Sequence, residues 1–256
     1  MAYRQREAVL AAAAQVRQDV RRRVLLYATA AWAGLGSWRD LDVDRFVATV
    51  VPVAVAGRKV VATGTDVVLA RLTGTRPAGT VDTDDLRGVG AEQVYRRPAV
   101  TMRTALAAGQ TLSAAQAAAL ARLVSLVSTD LQLAHTHQAA RTLAGYAPGF
   151  RRVLSGRSGC ALCVLASTQR YRAGELMPIH PGCGCGVEPI DPARQDLQVL
   201  DSARLEALHQ QVADFAGRAD ASGRDYRDLV VVHEHGEIGP VLGWRGQQFT
   251  GPHDLR

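Results

Sequence analysis

The four cysteines of this 256-residue chain all fall in one stretch, CALCVLASTQRYRAGELMPIHPGCGC (160–185), which also contains a His-Pro pair. The candidate metal ligands in this stretch are Cys160, Cys163, His180, Cys183 and Cys185. Two ligands separated by two residues can both turn inward on a tight loop, and two such loops facing each other hold a tetrahedral zinc ion. The spacing therefore predicts a structural zinc site, which constrains the fold of the C-terminal part more than any other feature.

These five side chains compete for four coordination positions, so two ligand sets are open. In the first, His180 is a ligand and Cys185 stays outside the coordination sphere. In the second, all four cysteines bind the metal and His180 stays outside. Cys183 and Cys185 would point to the same side of an extended segment, so both could reach one ion. A reduced cluster without metal and a pair of disulfides are further alternatives. A catalytic metal is disfavoured, because no general base is evident beside an open position.

Composition places the chain among soluble globular proteins, since apolar residues make up 47% and charged residues 21%. No membrane span is predicted, because the most apolar stretch, FVATVVPVAVAG (46–57), is far shorter than the roughly 20 residues that a span needs. The first residues show no secretory signal pattern. We therefore expect the cysteines in a reducing cytoplasm, where clustered thiols bind metal more often than they form disulfides.

The net charge of +6 points to an anionic partner such as nucleic acid. Lys59 is the only lysine, however, so nearly all the positive charge comes from arginine. This bias, together with abundant alanine, glycine and valine, is typical of a GC-rich genome. We interpret most arginines as solvated residues on helix faces, with contact to DNA or an acidic partner as the alternative.

Residues 1–150 are predicted to form a helical body. Segment 6–35 is rich in strong helix formers and carries apolar residues at three- and four-residue spacings. The predicted apolar face consists of Leu10, Ala13, Ala14, Val20 and Val24. The arginines between them, Arg17, Arg21 and Arg22, are expected on the solvent side.

A second helix is predicted to start with Asp40 or Asp42 as its N-cap. It is expected to bend or restart at Pro52 and then to continue. A turn-rich loop or linker follows near 73–90.

Two more helices are predicted after that loop. The first covers 98–109 and begins with Pro98, since proline is favoured at the first helical position. The second covers 111–146, with Ser113 as its N-cap and Gly145 as its stop.

The sequence pattern changes at residue 151. From there on, short segments alternate with Gly and Pro, which is typical of small strands joined by turns. We expect a small module over 151–256 with the zinc knuckles, a short helix at 201–218 and a terminal β-hairpin turning at Gly239-Pro240. The predicted fold class is mainly α, a helical N-terminal body followed by a small α+β zinc-knuckle module.

The other polar motifs predict little chemistry. HEHGE (233–237) is not an H-E-x-x-H site, because its second histidine comes too early for two ligands one helical turn apart. His135 and His137 lie two residues apart in a predicted helix and do not face each other, so one of them is expected to make a hydrogen bond on the core side. No catalytic set is found, and the chain is predicted not to be an enzyme.

The cysteine stretch resembles the C-terminal signature of MuF-like phage minor head proteins, the head-morphogenesis family, which shows C-x-x-C, a short hairpin-like insert and H-P-x-C-x-C. The wider chain is similar to minor capsid proteins of actinobacterial phages. The segments that carry this similarity are STDLQLAHTHQAARTLAG, GFRRVLSGRSGC and VVVHEHGEIGPVLGWRGQQFTGPHDLR. The resemblance covers most of residues 90–256 and departs from the commonest pattern at Gly184, where many members carry arginine.

The resemblance implies a structural minor capsid protein of a tailed phage, located in the virion after assembly in the host cytoplasm. It would associate with the portal vertex or head interior and assist head morphogenesis, DNA packaging or delivery. The implied partners are the portal protein, the major capsid protein and packaged DNA, with no membrane and no small-molecule substrate. The family's metal-type residues fall on the five candidate ligands. The alternative functions are a zinc-dependent DNA-binding protein and an HNH-like nuclease, and MPIHPGC lacks the Asp-His pair that the nuclease needs.

Overall fold

The computed structural model describes residues 3–79, 83, 86–154, 161–167, 169–172, 183–192 and 230–248. The chain is mainly helical with a small strand-containing C-terminal part that carries the cysteine cluster, which confirms the predicted fold class. The long helices are α1 (Tyr3–Ala33), α2 (Asp40–Thr73), α3 (Ala91–Ala107) and α4 (Leu112–Thr142). The predicted short helix at 201–218 lies outside the described residues.

Helix α2 starts without an aspartate cap. Asp40 is its first helical residue, and Arg39 takes the N-cap position with no side-chain cap hydrogen bond, so the predicted N-cap is wrong. Asp40 and Asp42 instead lie in the first turn, where the helix dipole favours negative charge. The helix runs through Pro52 and ends at Gly74, whose left-handed φ of 71° closes the last turn.

Helix α3 begins at Ala91, well before Pro98, so the predicted start at Pro98 is wrong. The turns before the proline bury Ala91, Val94 and Tyr95. This burial compensates for the backbone hydrogen bond that proline cannot donate inside a helix. Local preference favours proline at a helix start, and here packing against the rest of the bundle overrides it.

Helix α4 is capped by Thr111 rather than by the predicted Ser113. The Thr111 hydroxyl accepts a hydrogen bond of 3.2 Å from the Ala114 N–H. The helix ends at Thr142, and Gly145 follows with a left-handed φ of 78°. The predicted long helix is therefore confirmed, with its ends displaced by a few residues.

Helix α4 is the central element of the bundle and contacts α1, α2 and α3. Every residue from 126 to 136 is buried, as expected for a helix that is covered on all sides. Small residues let the neighbouring helices approach closely. A Cβ atom added to Gly57 of α2 would lie 2.7 Å from Val24 of α1 and 3.3 Å from Leu131 of α4. Polar side chains in this core therefore need partners within the protein.

Helices α2 and α4 are long and apolar enough to cross a membrane by length and composition alone. Core helices of soluble proteins pass the same test, and α2 and α4 pack against each other in the bundle. Within this contact the buried guanidinium of Arg58 pairs with Asp130. The two helices are thus weak support for a membrane span.

The C-terminal part contains a three-stranded antiparallel sheet in the order β2-β1-β3. Its strands are β1 (Phe150–Val153), β2 (Arg170–Tyr171) and β3 (Gly186–Pro189), with a short helix α5 (Ala161–Ser167) between β1 and β2 in the chain. A second apolar cluster packs the sheet against the ends of α2 and α4, and consists of Leu69, Ala139, Leu143, Phe150 and Val187. Arg6 of α1 strengthens this contact by donating to the carbonyls of Leu72 (3.1 Å) and Pro189 (2.8 Å).

The predicted terminal hairpin is present as β4 (Val230–His235) and β5 (Gly239–Trp244). Its turn lies at 236–238, so Gly239 and Pro240 belong to β5 and not to the predicted turn. Ile238 and Val241 join the core of the helical bundle. The hairpin is therefore packed onto the helices and does not stand apart from them.

Candidate metal centre

Two separate segments, a short helix and the loop before a strand, bring three of the predicted metal ligands together. Cys163 lies in α5, and Cys183 and Cys185 lie just before β3. Helix α5 packs on β1, and β1 pairs with β3, so the two segments meet at one end of the sheet. The sulfur atoms of the three cysteines all lie within 4.8 Å of one another, and the Sγ atoms of Cys163 and Cys183 are 3.3 Å apart.

This sulfur group fits a zinc ion. Zinc–thiolate bonds of about 2.3 Å in a tetrahedron place the sulfur atoms about 3.8 Å apart, close to the spacing of these three thiols. Cys163 and Cys183 are buried and Cys185 is half-buried. The Cys185 N–H also donates to the Cys183 sulfur at 3.4 Å, as a backbone amide does to a metal-bound thiolate. Within the described residues, these cysteines form the one group of His, Cys, Asp and Glu side chains close enough to hold a metal.

The electrostatics of the cluster favour a cation. The hydrogen bond with Cys163 lowers the pKa of the Cys185 thiol, but the hydrogen bond with Cys183 and burial raise this pKa by more, to above its ordinary value. Neighbouring buried thiols therefore do not ionise together in the absence of a positive ion. A bound divalent metal removes that obstacle, because it deprotonates the thiols that coordinate it.

The remaining predicted ligands, Cys160 and His180, lie outside the described residues. The choice between the two predicted ligand sets therefore stays open. Cys185 lies inside the sulfur group, as the set of four cysteines requires.

Next to the sulfur group lies a cavity of about 310 Å³ between α1, α4 and the loop Cys183–Cys185. Its polar lining residues are Arg17, Gln18, Arg21, Ser128, Gln132 and His135. Arg17 and Arg21 were expected to face solvent, and this prediction is wrong because both are half-buried and line the cavity. Arg22 is exposed as predicted, and its guanidinium pairs with Asp19.

Arg17 touches the cysteine loop directly. A Cβ atom added to Gly186, the residue that follows this loop, would lie 3.0 Å from an Arg17 guanidinium nitrogen, so the guanidinium would have to shift by a few tenths of an ångström to admit it. Burial lowers the pKa of Arg17 to about 10, and the nearby Cys185 acts in the opposite direction. Burial also lowers the pKa of Arg21. The cavity is therefore lined by two cations whose charge is poorly solvated.

His135 is the histidine of α4 that faces the core, while His137 is exposed. The Thr65 hydroxyl donates its one hydrogen to the Val61 carbonyl (2.8 Å), so the 2.8 Å contact to His135 Nδ1 makes that nitrogen the donor. Burial, followed by the charges of Arg17 and Arg152, holds the pKa of His135 well below its ordinary value. The imidazole is therefore neutral, and its Nε2 atom is an acceptor that has no hydrogen-bond partner in the part of the chain that the structure describes.

The sequence analysis does not predict this cavity, although the spacing of its polar residues on each helix could have indicated it. Ser128, Gln132 and His135 recur at helical spacing on α4, and Arg17 and Arg21 are spaced by four residues on α1. Each set is unremarkable when read alone. Their meeting depends on how α1 packs against α4, which local spacing does not specify.

The HEHGE motif serves packing rather than metal binding in the described structure. The His233 Nε2 atom contacts the Trp244 carbonyl across the hairpin at 2.7 Å. Glu237 forms ion pairs with three arginines of the helical body, which are Arg87, Arg97 and Arg122. These contacts link the two strands of the hairpin and join the hairpin to the helical body.

Comparison with protein-family models, with curated proteins and with solved structures finds no match to this chain.

Proposed function

We propose that the cysteine cluster is a structural zinc site that fixes the fold of the C-terminal part of the chain. The observation that carries this proposal is the approach of Cys163, Cys183 and Cys185 from two separate segments to within 4.8 Å. Thiolates in this arrangement are typical ligands of structural zinc. Cys160 would complete the tetrahedron in the set of four cysteines, and in the other predicted set Cys160 and His180 would join Cys163 and Cys183.

Zinc at this position would supply folding free energy. The sheet beside the cluster is small, since β2 has two residues and β1 and β3 have four each. Sheets of this size bury little apolar surface, and metal binding contributes directly to the stability of such modules. The metal would tie α5 to the strand β3, and β3 in turn contacts α1 and α2.

We further propose that the protein is a structural minor head protein of a tailed phage, associated with the portal vertex or the head interior. Support comes from the resemblance of C-x-x-C and H-P-x-C-x-C to the signature of MuF-like proteins, together with the convergence of three of those cysteines. The portal protein or the major capsid protein would be its partner, and packaged DNA is a further candidate. In this role the zinc site holds the fold and carries out no reaction.

The virion role is tested by co-expressing the chain with a portal protein encoded in the same genome, followed by size-exclusion chromatography. We expect the two proteins to elute together at the size of the portal ring, and the chain to be found by mass spectrometry in purified phage particles. Absence from the particles would contradict the proposal. Zinc-dependent cleavage of DNA by the isolated chain would favour the nuclease alternative instead.

A further inference from the structure

The cavity beside the cysteine cluster carries more polar groups than packing requires. Arg17 and Arg21 enter it from α1, and Ser128, Gln132 and His135 enter from α4. The three α4 side chains are at least nine-tenths buried, with exposed fractions of 5%, 8% and 5%. Unsatisfied polar groups at that depth are costly, so a native protein normally supplies them with a partner.

The positive charge of the cavity is not balanced by carboxylates. Among the described residues, neither Arg17 nor Arg21 forms an ion pair with Asp or Glu. The adjacent Arg22 pairs with Asp19 on the surface at 2.7 Å. A half-buried guanidinium without a counter-ion is a strong donor for an anion.

The α4 side of the cavity offers acceptors to the same ligand. The Gln132 Oε1 atom and the His135 Nε2 atom are buried and have no hydrogen-bond partner among the described residues. His135 Nε2 carries a lone pair, because its Nδ1–H is used on Thr65. The Ser128 hydroxyl is also buried without a partner, and it can donate or accept. A bare anion would satisfy the arginines and leave these acceptors unpaired.

We propose that this cavity binds a small phosphate monoester. The phosphate oxygens would accept hydrogen bonds from Arg17, Arg21 and the Ser128 hydroxyl, and hydroxyl groups of the ligand would donate to Gln132 Oε1 and His135 Nε2. A carboxylate has two oxygens and no hydrogen to donate, so it matches this set of groups less well. The site is independent of the proposed virion role.

The volume of the cavity agrees with a ligand of this size. Small-molecule sites in proteins range from about 300 to 1,000 Å³, and the cavity of about 310 Å³ lies at the lower end of that range. It is about ten times the volume of a water molecule in the liquid, which leaves room for a short polyol beside the phosphate. Inorganic phosphate alone would leave part of the cavity unfilled.

Isothermal titration calorimetry of the zinc-loaded full chain tests the proposal, with glycerol 3-phosphate, adenosine monophosphate, inorganic phosphate and acetate as probes. We expect a phosphate monoester to bind more tightly than inorganic phosphate, and acetate to give no measurable heat. The comparison of glycerol 3-phosphate with the nucleotide distinguishes a sugar-type from a nucleoside-type ligand. The proposal is overturned if the wild-type chain binds neither monoester, or if acetate binds equally well.

Two variants separate binding in the cavity from general charge effects. Arg21→Gln removes one of the two guanidinium groups that line the cavity and should weaken binding of the monoester by at least about tenfold, because a charge-assisted hydrogen bond is lost. Arg22→Gln removes the same charge one residue away on the exposed face and should leave the affinity unchanged. Equal affinities in the two variants would exclude this cavity as the site. The zinc content of Arg21→Gln should equal that of wild type. If this variant loses zinc but binds the phosphate monoester as tightly as wild type, Arg21 serves only the sulfur cluster.

Discussion

At the scale of single residues, Asp130 joins three segments of the bundle from the middle of α4. Its carboxylate accepts hydrogen bonds from Arg58, from Arg87 (2.7 Å) and from the Tyr95 hydroxyl (3.1 Å). Burial, with Asp130 as the next cause, raises the pKa of Tyr95 well above its ordinary value, so the hydroxyl keeps its proton and donates. The aspartate side chain is 1% exposed. Removing its charge would leave the buried Arg58 guanidinium without compensation.

We therefore predict that Asp130→Asn lowers the free energy of unfolding by about 3–5 kcal/mol, as expected when one partner of a buried ion pair is lost. Urea denaturation followed by circular dichroism measures this change. Asp44→Asn is the matched control, because Asp44 is half-exposed and pairs with Arg96 at the surface. It should change stability by less than about 1 kcal/mol. Similar small losses in both variants would show that Asp130 does not organise the core.

The solvent exposure of the α1 arginines was predicted correctly for one residue and wrongly for two. Arginines on a predicted helix are expected in solvent, and Arg22 behaves in this way, whereas Arg17 and Arg21 of the same helix line a cavity. The difference between them depends on which face of α1 meets α4. Helical spacing places Arg17 and Arg21 on one face, and the partner of that face lies more than a hundred residues away in the sequence.

At the scale of elements, the approach of α1, α2 and α4 depends on a glycine. Gly57 of α2 lies where an added Cβ would meet Val24 at 2.7 Å. Gly64 lies on the same helix with nothing within 4 Å of such an atom. The same Gly→Ala substitution can therefore be compared at a crowded position, Gly57, and at an open one, Gly64.

We predict that Gly57→Ala destabilises the protein by about 1–3 kcal/mol, because the helices must separate to admit the methyl group. Gly64→Ala should instead stabilise it by up to about 1 kcal/mol, since alanine is the better helix former in open space. Thermal unfolding of both variants gives the comparison. A stabilising effect at Gly57 would mean that α1 and α2 are not in close contact there.

Asp66 of α2 fixes the start of the following loop. Its carboxylate accepts hydrogen bonds from the N–H groups of Ala78 and Gly79, each at 2.9 Å, and from the Thr142 hydroxyl at 2.6 Å. Burial by itself raises the pKa of Asp66, but the hydrogen bonds outweigh it, so the pKa lies below its ordinary value of 3.8. The resulting stabilisation is complete above pH 3.8 and is lost as the pH falls through the pKa of the folded state.

Asp66→Asn should therefore cost about 1.5–3 kcal/mol of stability at pH 7, where the charged acceptor is lost. The difference from wild type should shrink as the pH falls below 3.8. Denaturant unfolding of both proteins at a series of pH values from 7 to 3 measures it, with Asp44→Asn on the same helix as the control. A difference that does not depend on pH would contradict the assigned role of the charge.

The four long helices could be predicted from composition and spacing, and their ends could not. Pro98 was placed at a helix start because local preference favours it there, while burial of Tyr95 and its neighbours extends α3 to earlier residues. The N-caps of α2 and α4 differ from the predicted residues by one to three positions. Several residues near each end can cap a helix, and the packing of the preceding loop selects among them.

At the scale of the whole molecule, one carboxylate links the C-terminal hairpin to three arginines of the helical body, in addition to the apolar contacts of Ile238 and Val241. Glu237 in its turn pairs with Arg87 and Arg97, each at 3.1 Å, and with Arg122. These arginines come from the loop before α3, from α3 and from α4. Together with Arg58, these arginines make four positive charges around two carboxylates, Glu237 and Asp130. Loss of Glu237 therefore increases the excess of positive charge.

We predict that Glu237→Gln loosens the hairpin, because arginine repulsion replaces three ion pairs. Hydrogen–deuterium exchange should be at least about tenfold faster at the amides of β4 and β5 than in wild type, while the amides of α2 keep their protection. Glu234→Gln is the control, as that residue lies on the same hairpin outside this network. Unchanged exchange in Glu237→Gln would mean that Ile238 and Val241 alone hold the hairpin.

The cysteine cluster could be predicted in part from the sequence, whereas the adjoining cavity could not. Closely spaced cysteines are expected to converge because metal coordination requires it, and Cys163, Cys183 and Cys185 do so. The adjoining cavity draws its groups from α1, α4 and the cysteine loop, and their positions follow only from the packing of the entire chain.

The central claim is that this cluster binds zinc, and metal analysis by plasma mass spectrometry tests it most directly. The chain is purified without chelator, as wild type and as Cys163→Ser, because Cys163 belongs to both predicted ligand sets. We predict about one zinc ion per wild-type chain, and its loss in Cys163→Ser together with several kcal/mol of stability. A wild-type chain that is folded and free of zinc would contradict the account.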